Sequence, residues 1–366
     1  IDDLHAMPKE LYDNKVSKLI DITTADDYEI EEYIEEYKLG SIFRKYDKKN
    51  RNFLPGIDLC RITNKDRDIS KELYQDIQKG YNKDKRYGSN DKIELLNIVM
   101  KKGQDFEKIT KTLNNKDLFR SIYYLIGGAH KCVYDLNIFL ADIKALNLLY
   151  SSDDNSTDIY PVFIDFSQDF VIRNVKSFMT FLSGYGTMVN YIWPDEVNIL
   201  SASIRENADF KKDIFKDLKN KNPDTSNYTT KEGRKKLNDI LNYMQNRINL
   251  PKGELIIYEK IMVYLIGMSY RRSLNEKQKK SKSVQKLLYS MTNLNIIERP
   301  NFKQVKEYID NLYKFNNNRN NVLIKKKSII GKFKKKIGEL TSKKTKSKDL
   351  KSFKISSLKP KIENYF

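Results

Sequence analysis

Cysteine and histidine are nearly absent: Cys60, Cys132, His5 and His130 are the only ones in 366 residues. Two thiols are too few for a disulfide framework, and two histidines are too sparse to complete a zinc site with them. A reducing, cytoplasmic compartment is the expectation. A long apolar run is also missing. The longest, Leu255 to Tyr270, carries Glu259 and Lys260, and is too short and too charged to cross a bilayer. No transmembrane segment is expected. The chain opens at Ile1 without a methionine or a charged-then-apolar leader, and so reads as a trimmed piece, not a secretory precursor.

What is abundant is charge. Charged residues make up 32% of the chain and hydrophobic ones 39%, a globular composition with a polar excess. The net charge is +19, and fifteen lysines against Glu339 and Asp349 between Lys325 and Lys361 supply +13 of it. That pattern makes residues 316–366 a Lys-rich, flexible tail and the rest the folded body. The tail is a candidate for non-specific attraction to nucleic acid or to an anionic surface.

Hydrophobic periodicity divides the body. Val16 to Ile20 alternates as a strand, and Asp26 to Tyr37 carries a helical stripe at Ile30, Tyr33, Ile34 and Tyr37. Phe53 to Ile62 and Ile93 to Met100 read as further strands around a polar insertion, 63–92. After Gly103 the pattern turns helical. Leu118 to Leu136, Lys235 to Asn249, Tyr258 to Arg271 and Phe302 to Tyr313 are expected helices, and Val162 to Ile164 a short strand. A small strand-rich part (1–102) followed by a larger helical part (103–315), with a helical insertion at 197–253, is an α+β layout.

The residues that carry chemistry are Asp142-Ile143-Lys144-Ala145-Leu146-Asn147 and, after a polar loop, Ile164-Asp165-Phe166-Ser167. A carboxylate, a cation and an amide on one loop, followed by a second carboxylate, are what phosphoryl transfer needs. Taken alone, the same residues are also common in a solvated turn. The first segment resembles the catalytic loop of protein kinases, and the second their metal-binding Asp-Phe-Gly segment with Ser167 for the glycine. Further segments follow in the family's order. Lys18 in Val-Ser-Lys-Leu resembles the strand lysine of the kinases. Ile98 to Phe106 is similar to the last N-lobe strand and hinge, and Gly186 to Glu196 to the end of an activation segment. Glu259 to Gly267 is similar to the central C-lobe helix, and Glu298-Arg299-Pro300 to the late arginine segment.

The resemblance implies a two-lobed kinase-like fold whose first N-lobe strands precede Ile1, ATP as phosphoryl donor, and Mg2+ as cofactor. It implies that Asp142 orients the substrate hydroxyl, that Lys144 neutralises the moving phosphoryl group, and that Asn147 and Asp165 ligate magnesium. Lys18 would hold the nucleotide phosphates, with Glu32 as its helical partner and Glu29 as the alternative. The backbone at Met100 and Lys102 would meet the adenine edge, and Glu196 would pair with Arg299. Lys144 and Thr187 favour a protein substrate bearing serine or threonine. Within the family the wording is most similar to kinases of large DNA viruses, of poxvirus and giant-virus type, which implies host cytoplasm or virion. Leu140 and Ala141 replace the usual His-Arg, and Met262 replaces a buried aspartate. With Ser167, these departures leave a pseudokinase scaffold as the alternative. Without the arginine, control by activation-loop phosphorylation is not expected.

Overall fold

The computed structural model describes residues 15–22, 25–49, 51–63, 94–152, 158–166, 171–172, 194, 230–248, 250, 252–313 and 324–325. The chain divides into two compact units, Ile1–Ile324 and Lys325–Phe366. The first is a mixed α+β body. Of the expected insertion 63–92, Thr63 closes β2 and the rest lies outside the described residues, as do the segment 197–229, the Lys-rich tail beyond Lys325, and Ser167, Thr187 and Glu196.

Strands β1 (Lys15–Asp21), β2 (Asp58–Thr63) and β3 (Glu94–Lys101) form an antiparallel sheet in the order β1-β3-β2. The register sets Lys18 opposite Ile98 and Val16 opposite Met100. Alternation puts Lys18 on the same face as Ile20. Ile20, Ile22, Leu96 and Ile98 form a cluster against which Ile30 and Tyr33 of helix α1 (Asp27–Tyr46) pack. The helix runs nine residues past the expected end at Tyr37. Gly40 does not stop it, because a Cβ there would come within 3.0 Å of the Pro55 Cβ, and the glycine admits that contact. The strand expected from Phe53 starts at Asp58 instead. Pro55 and Gly56 interrupt it, and Phe53 forms an isolated bridge to Phe163.

Past Lys102 and Gly103 the chain makes β4 (Gln104–Asp105) and the short helix α2 (Phe106–Thr110), capped by the Asp105 side chain. Helix α3 (Asn115–His130) ends in a π turn, Lys131–Asp135. Then come β5 (Phe139–Leu140), a 3-10 turn (Ala145–Asn147), β6 (Leu148–Ser152), β7 (Asp158–Phe163) and β8 (Val171–Ile172). β4 pairs with β6, β6 with β7, and β5 with β8, all antiparallel.

The helical core is built on α5 (Gly253–Arg272), apolar on nearly every face and therefore buried from Ile257 to Gly267. It packs on α3, on α4 (Lys231–Ile248), on α7 (Lys282–Met291), on α8 (Phe302–Tyr313), and on β5 and the 3-10 turn. Its two internal charges are both satisfied. Glu259 accepts from the Tyr134 hydroxyl and from the Phe302 backbone N–H, each at 2.6 Å, which caps α8. Lys260 donates to the carbonyls of Arg299 and Ile297, and burial together with the nearby Arg299 charge lowers its pKa.

A hydroxyl network crosses this core. Ser121 of α3 lies 2.6 Å from the hydroxyls of both Tyr150 of β6 and Tyr270 of α5, and all three residues are buried. Burial raises the Tyr150 hydroxyl to about 12, so it stays protonated. Ser121→Ala removes the shared partner from two buried hydroxyls. The expected cost is about 1–3 kcal/mol of unfolding free energy, measured by urea denaturation; a change below a few tenths would mean the network does not stabilise the fold.

Candidate active site

The site forms where four segments meet: β1, α1, the loop after β5, and the end of β7. Lys18 projects from β1 and donates to both oxygens of Glu36 on α1, at 2.9 Å each. The same ammonium lies 2.9 Å from Asp165 Oδ1. Burial alone depresses the lysine, but the carboxylates of Glu36 and Asp165 outweigh it and raise its pKa above the usual value. Burial pushes the Glu36 carboxyl up, against the pull of the Lys18 charge.

Glu36 corrects the expectation of Glu32 or Glu29. Sequence periodicity centres the inward face of α1 on Ile30, Tyr33 and Ile34. The longer helix buries Glu36, Leu39, Gly40 and Phe43, and that stripe continues to Asp47 beyond its end. Glu36 is therefore the carboxylate on the face that meets Lys18.

The loop after β5 organises itself around Asp142. Lys144 Nζ donates to Asp142 Oδ2 at 2.7 Å, and Asn147 Nδ2 donates to the same oxygen at 2.8 Å and to the Asp142 carbonyl at 3.0 Å. Asn147 is buried, and its carbonyl accepts from the Ile164 N–H at 3.1 Å, tying the loop to the end of β7. Leu140, Asp142, Ile143, Asn147, Phe163, Ile164 and Asp165 line one concavity.

Asp165 has φ 61°, in the left-handed region. An aspartate holds that conformation at a cost of about 1 kcal/mol, and such outliers gather where geometry matters more than strain. Phe166 fixes the turn from the other side: its ring stacks on Phe43 of α1 at 4.4 Å and contacts Phe53 edge-on at 6.3 Å. Asp47, just past α1, accepts from the Asn52 and Phe53 N–H groups at 2.6 and 3.1 Å. The Phe163 N–H then donates to the Asn52 carbonyl, and the Phe163 carbonyl accepts from the Leu54 N–H, at 2.9 Å each. Helix α1, which carries Glu36, is thus pinned to the strand that delivers Asp165. Sequence reasoning missed Asp47, although its place one turn past Phe43 was a signal.

Met100 is paired with Val16 in the sheet, and its side chain packs on the Ile20 and Ile98 cluster. Lys102 is exposed in the bend that follows. At the next residue a Cβ would lie 2.6 Å from Leu149 Cδ1, so Gly103 lets this bend lie directly against β6. Leu140 and Ala141 are buried, as is Met262 of α5, so these three departures from the kinase pattern stand at apolar, water-excluded positions. Arg299 is fully buried and donates to the carbonyls of Asn293 and Lys260, with its guanidinium 4.7 Å over the Tyr264 ring. Its expected partner, Glu196, lies outside the described residues.

Compared with known protein families and with curated proteins, the chain matches none. No helix among the described residues is long and apolar enough to cross a membrane.

Proposed function

We propose that the chain is a protein kinase that transfers the γ-phosphoryl group of ATP to serine or threonine of a protein substrate. The observation that carries this reading is the convergence of Lys18, Glu36 and Asp165 in one ion cluster beside Asp142 and Asn147. The strand order β1-β3-β2, with a helix between β1 and β2 carrying the lysine's carboxylate partner, supports the kinase-like reading of the small sheet. So does the helical core on the other side of Lys102 and Gly103.

The donor set suits magnesium. Asp165 offers a half-exposed carboxylate, and Asn147 spends its amide N–H groups on Asp142 and keeps Oδ1 for a cation. These are the hard oxygen ligands that Mg2+ takes beside phosphate. When bound, the ion would neutralise charge on the nucleotide phosphates. The chain's own residues do the rest. Lys18, positioned by Glu36, offers an ammonium to the phosphates. Asp142, aimed by Lys144 and Asn147, accepts the proton of the attacking hydroxyl, and Lys144 lies 2.7 Å away to balance negative charge on the transferred group. The backbone at Met100 and Lys102 would meet the adenine edge. Because the Lys18 pKa is raised, its charge persists through the neutral range; phosphate binding through it should fall only as the pH climbs through that raised value.

Glu36 provides the test that separates this site from an incidental cluster. Glu36→Ala should lower radiolabel transfer from MgATP to a general protein substrate by about tenfold to a hundredfold, whereas Glu32→Ala should stay within about twofold. Equal loss in both variants, or in neither, would refute the assignment. A scaffold that binds nucleotide without transfer is the competing reading, favoured by the buried Leu140 and Ala141. It predicts MgATP binding to the wild-type chain with no incorporation.

A further inference from the structure

The folded body carries a concentrated positive surface that the proposed active site does not use. Between Arg271 and Lys286 stand seven basic residues and one acid, Glu276, a net +6. With +13 in the Lys325 to Lys361 stretch, that accounts for the whole +19, so all other residues together sum to zero. The net positive charge outside the tail thus resides in this one stretch of sequence.

The patch is built on a fixed frame. The four-residue helix α6 (Glu276–Lys279) is capped by Asn275, and its buried Gln278 donates to the carbonyls of Thr110 and Leu113 at 2.9 Å each. Asn115 donates to the Ser281 hydroxyl at 2.9 Å, just before α7 begins. Helix α7 buries Val284, Leu287, Leu288 and Met291, which leaves Lys282, Lys286 and Tyr289 exposed at positions i, i+4 and i+7. These three span about 10 Å along one face. Lys277 and Lys280 are exposed on the adjoining turn, while Glu276 is held by Lys279 at 2.9 Å.

Aromatic rings are interleaved with these cations. Tyr289 is 58% exposed with the Arg271 guanidinium 4.6 Å from its centroid, and Lys286 lies 6.0 Å from the Tyr308 centroid. Lysines alone would suit any polyanion. A row of lysines ending in an exposed ring suits an anionic chain that also carries flat faces, which is single-stranded nucleic acid.

The geometry points to this surface, formed by α6, α7 and the end of α5, as a docking site for single-stranded nucleic acid. Contact is through the phosphate backbone, without base readout, and independent of the tail. The site stands apart from the phosphoryl-transfer reading and does not need it.

The test uses the full chain and a fluorescein-labelled oligothymidylate of about 20 nucleotides, with anisotropy read at several salt concentrations. The quadruple variant K277E/K280E/K282E/K286E should bind at least about tenfold more weakly at low salt, and its salt slope should fall by about 3, at 0.7 per lost phosphate contact. The matching Lys→Gln quadruple should shift in the same direction, which guards against a folding defect in the reversal variant. Tyr289→Ala should weaken binding by about fivefold through lost stacking. Changing Lys325, Lys326, Lys327, Lys334, Lys335 and Lys336 to Glu should leave binding that still depends on Tyr289. Wild-type affinity and slope in both quadruple variants would overturn the proposal. So would poly-L-glutamate displacing the oligomer charge for charge while Tyr289→Ala has no effect, which would assign the patch to an acidic protein.

Discussion

Asp142→Asn should reduce phosphoryl transfer by about 10²–10⁴ while leaving MgATP affinity within about twofold. The side chain is 11% exposed and is held by Lys144 at 2.7 Å and Asn147 at 2.8 Å, so its orientation is set before any substrate arrives. In the proposed role, asparagine would keep the shape and lose the proton acceptor, so the loss would fall on the chemical step. Asp165→Asn should behave differently. Its carboxylate would be both the metal ligand and the partner of Lys18, so nucleotide binding and transfer should fail together. Filter binding of radiolabelled product and a separate nucleotide titration read the two effects. If Asp142→Asn stays within tenfold of wild type, the proton acceptor lies elsewhere.

The largest loss of stability is expected at Arg299. Its guanidinium is fully buried and reaches the Asn293 carbonyl through Nε and Nη2, at 2.9 and 2.8 Å, and the Lys260 carbonyl through Nη1 at 3.0 Å. Arg299→Leu strips three charge-assisted donors from the buried Lys260 carbonyl and the part-buried Asn293 carbonyl, and leaves a misfitted volume under Tyr264. The combined cost should be on the order of 4 kcal/mol. Arg299→Lys should recover part of it, because lysine restores a donor and the charge but not the planar fork. The midpoint of guanidinium denaturation measures both. A loss under about 1 kcal/mol in the leucine variant would mean that the arginine does not organise the core.

The legible parts of the sequence were those where chemistry and spacing coincide. The Asp142 to Asn147 segment and the Asp165 segment were singled out by their resemblance to two kinase motifs, and the fold brings both to one concavity across the β6-β7 hairpin; α8 runs over the residues expected of it, Phe302–Tyr313. The partner of Lys18 could not be found this way. A helix with acids at positions 29, 31, 32, 35 and 36 offers several candidates, and only the pairing with β1 selects one. Of the apolar stripe at Ile30, Tyr33 and Ile34, the first two pack on the strand-side cluster at the start of α1. The later turns bury a different set. Two-residue strands such as β5 and β8 leave no periodic trace, so their pairing could be seen only in three dimensions. The basic patch is obscured in the sequence for another reason: a net +6 in sixteen residues is small beside the tail's +13, and only the exposed face of α7 sets its lysines beside Tyr289.

Lys18 meets one carboxylate 18 residues away and another 147 residues away. A chain emerging from synthesis therefore acquires the clamp in two stages. Glu36 can engage once β3 has been made, since β1 is an edge strand paired to β3, and the loop between Lys18 and Glu36 closes at small entropic cost. Asp165 becomes available only after α3, β5 and both strands of the β6-β7 hairpin have been made. Both carboxylates are thus made before the core helix α5 on which β5 and the 3-10 turn pack, so the residues of the clamp precede the body that holds the Asp142 loop beside them.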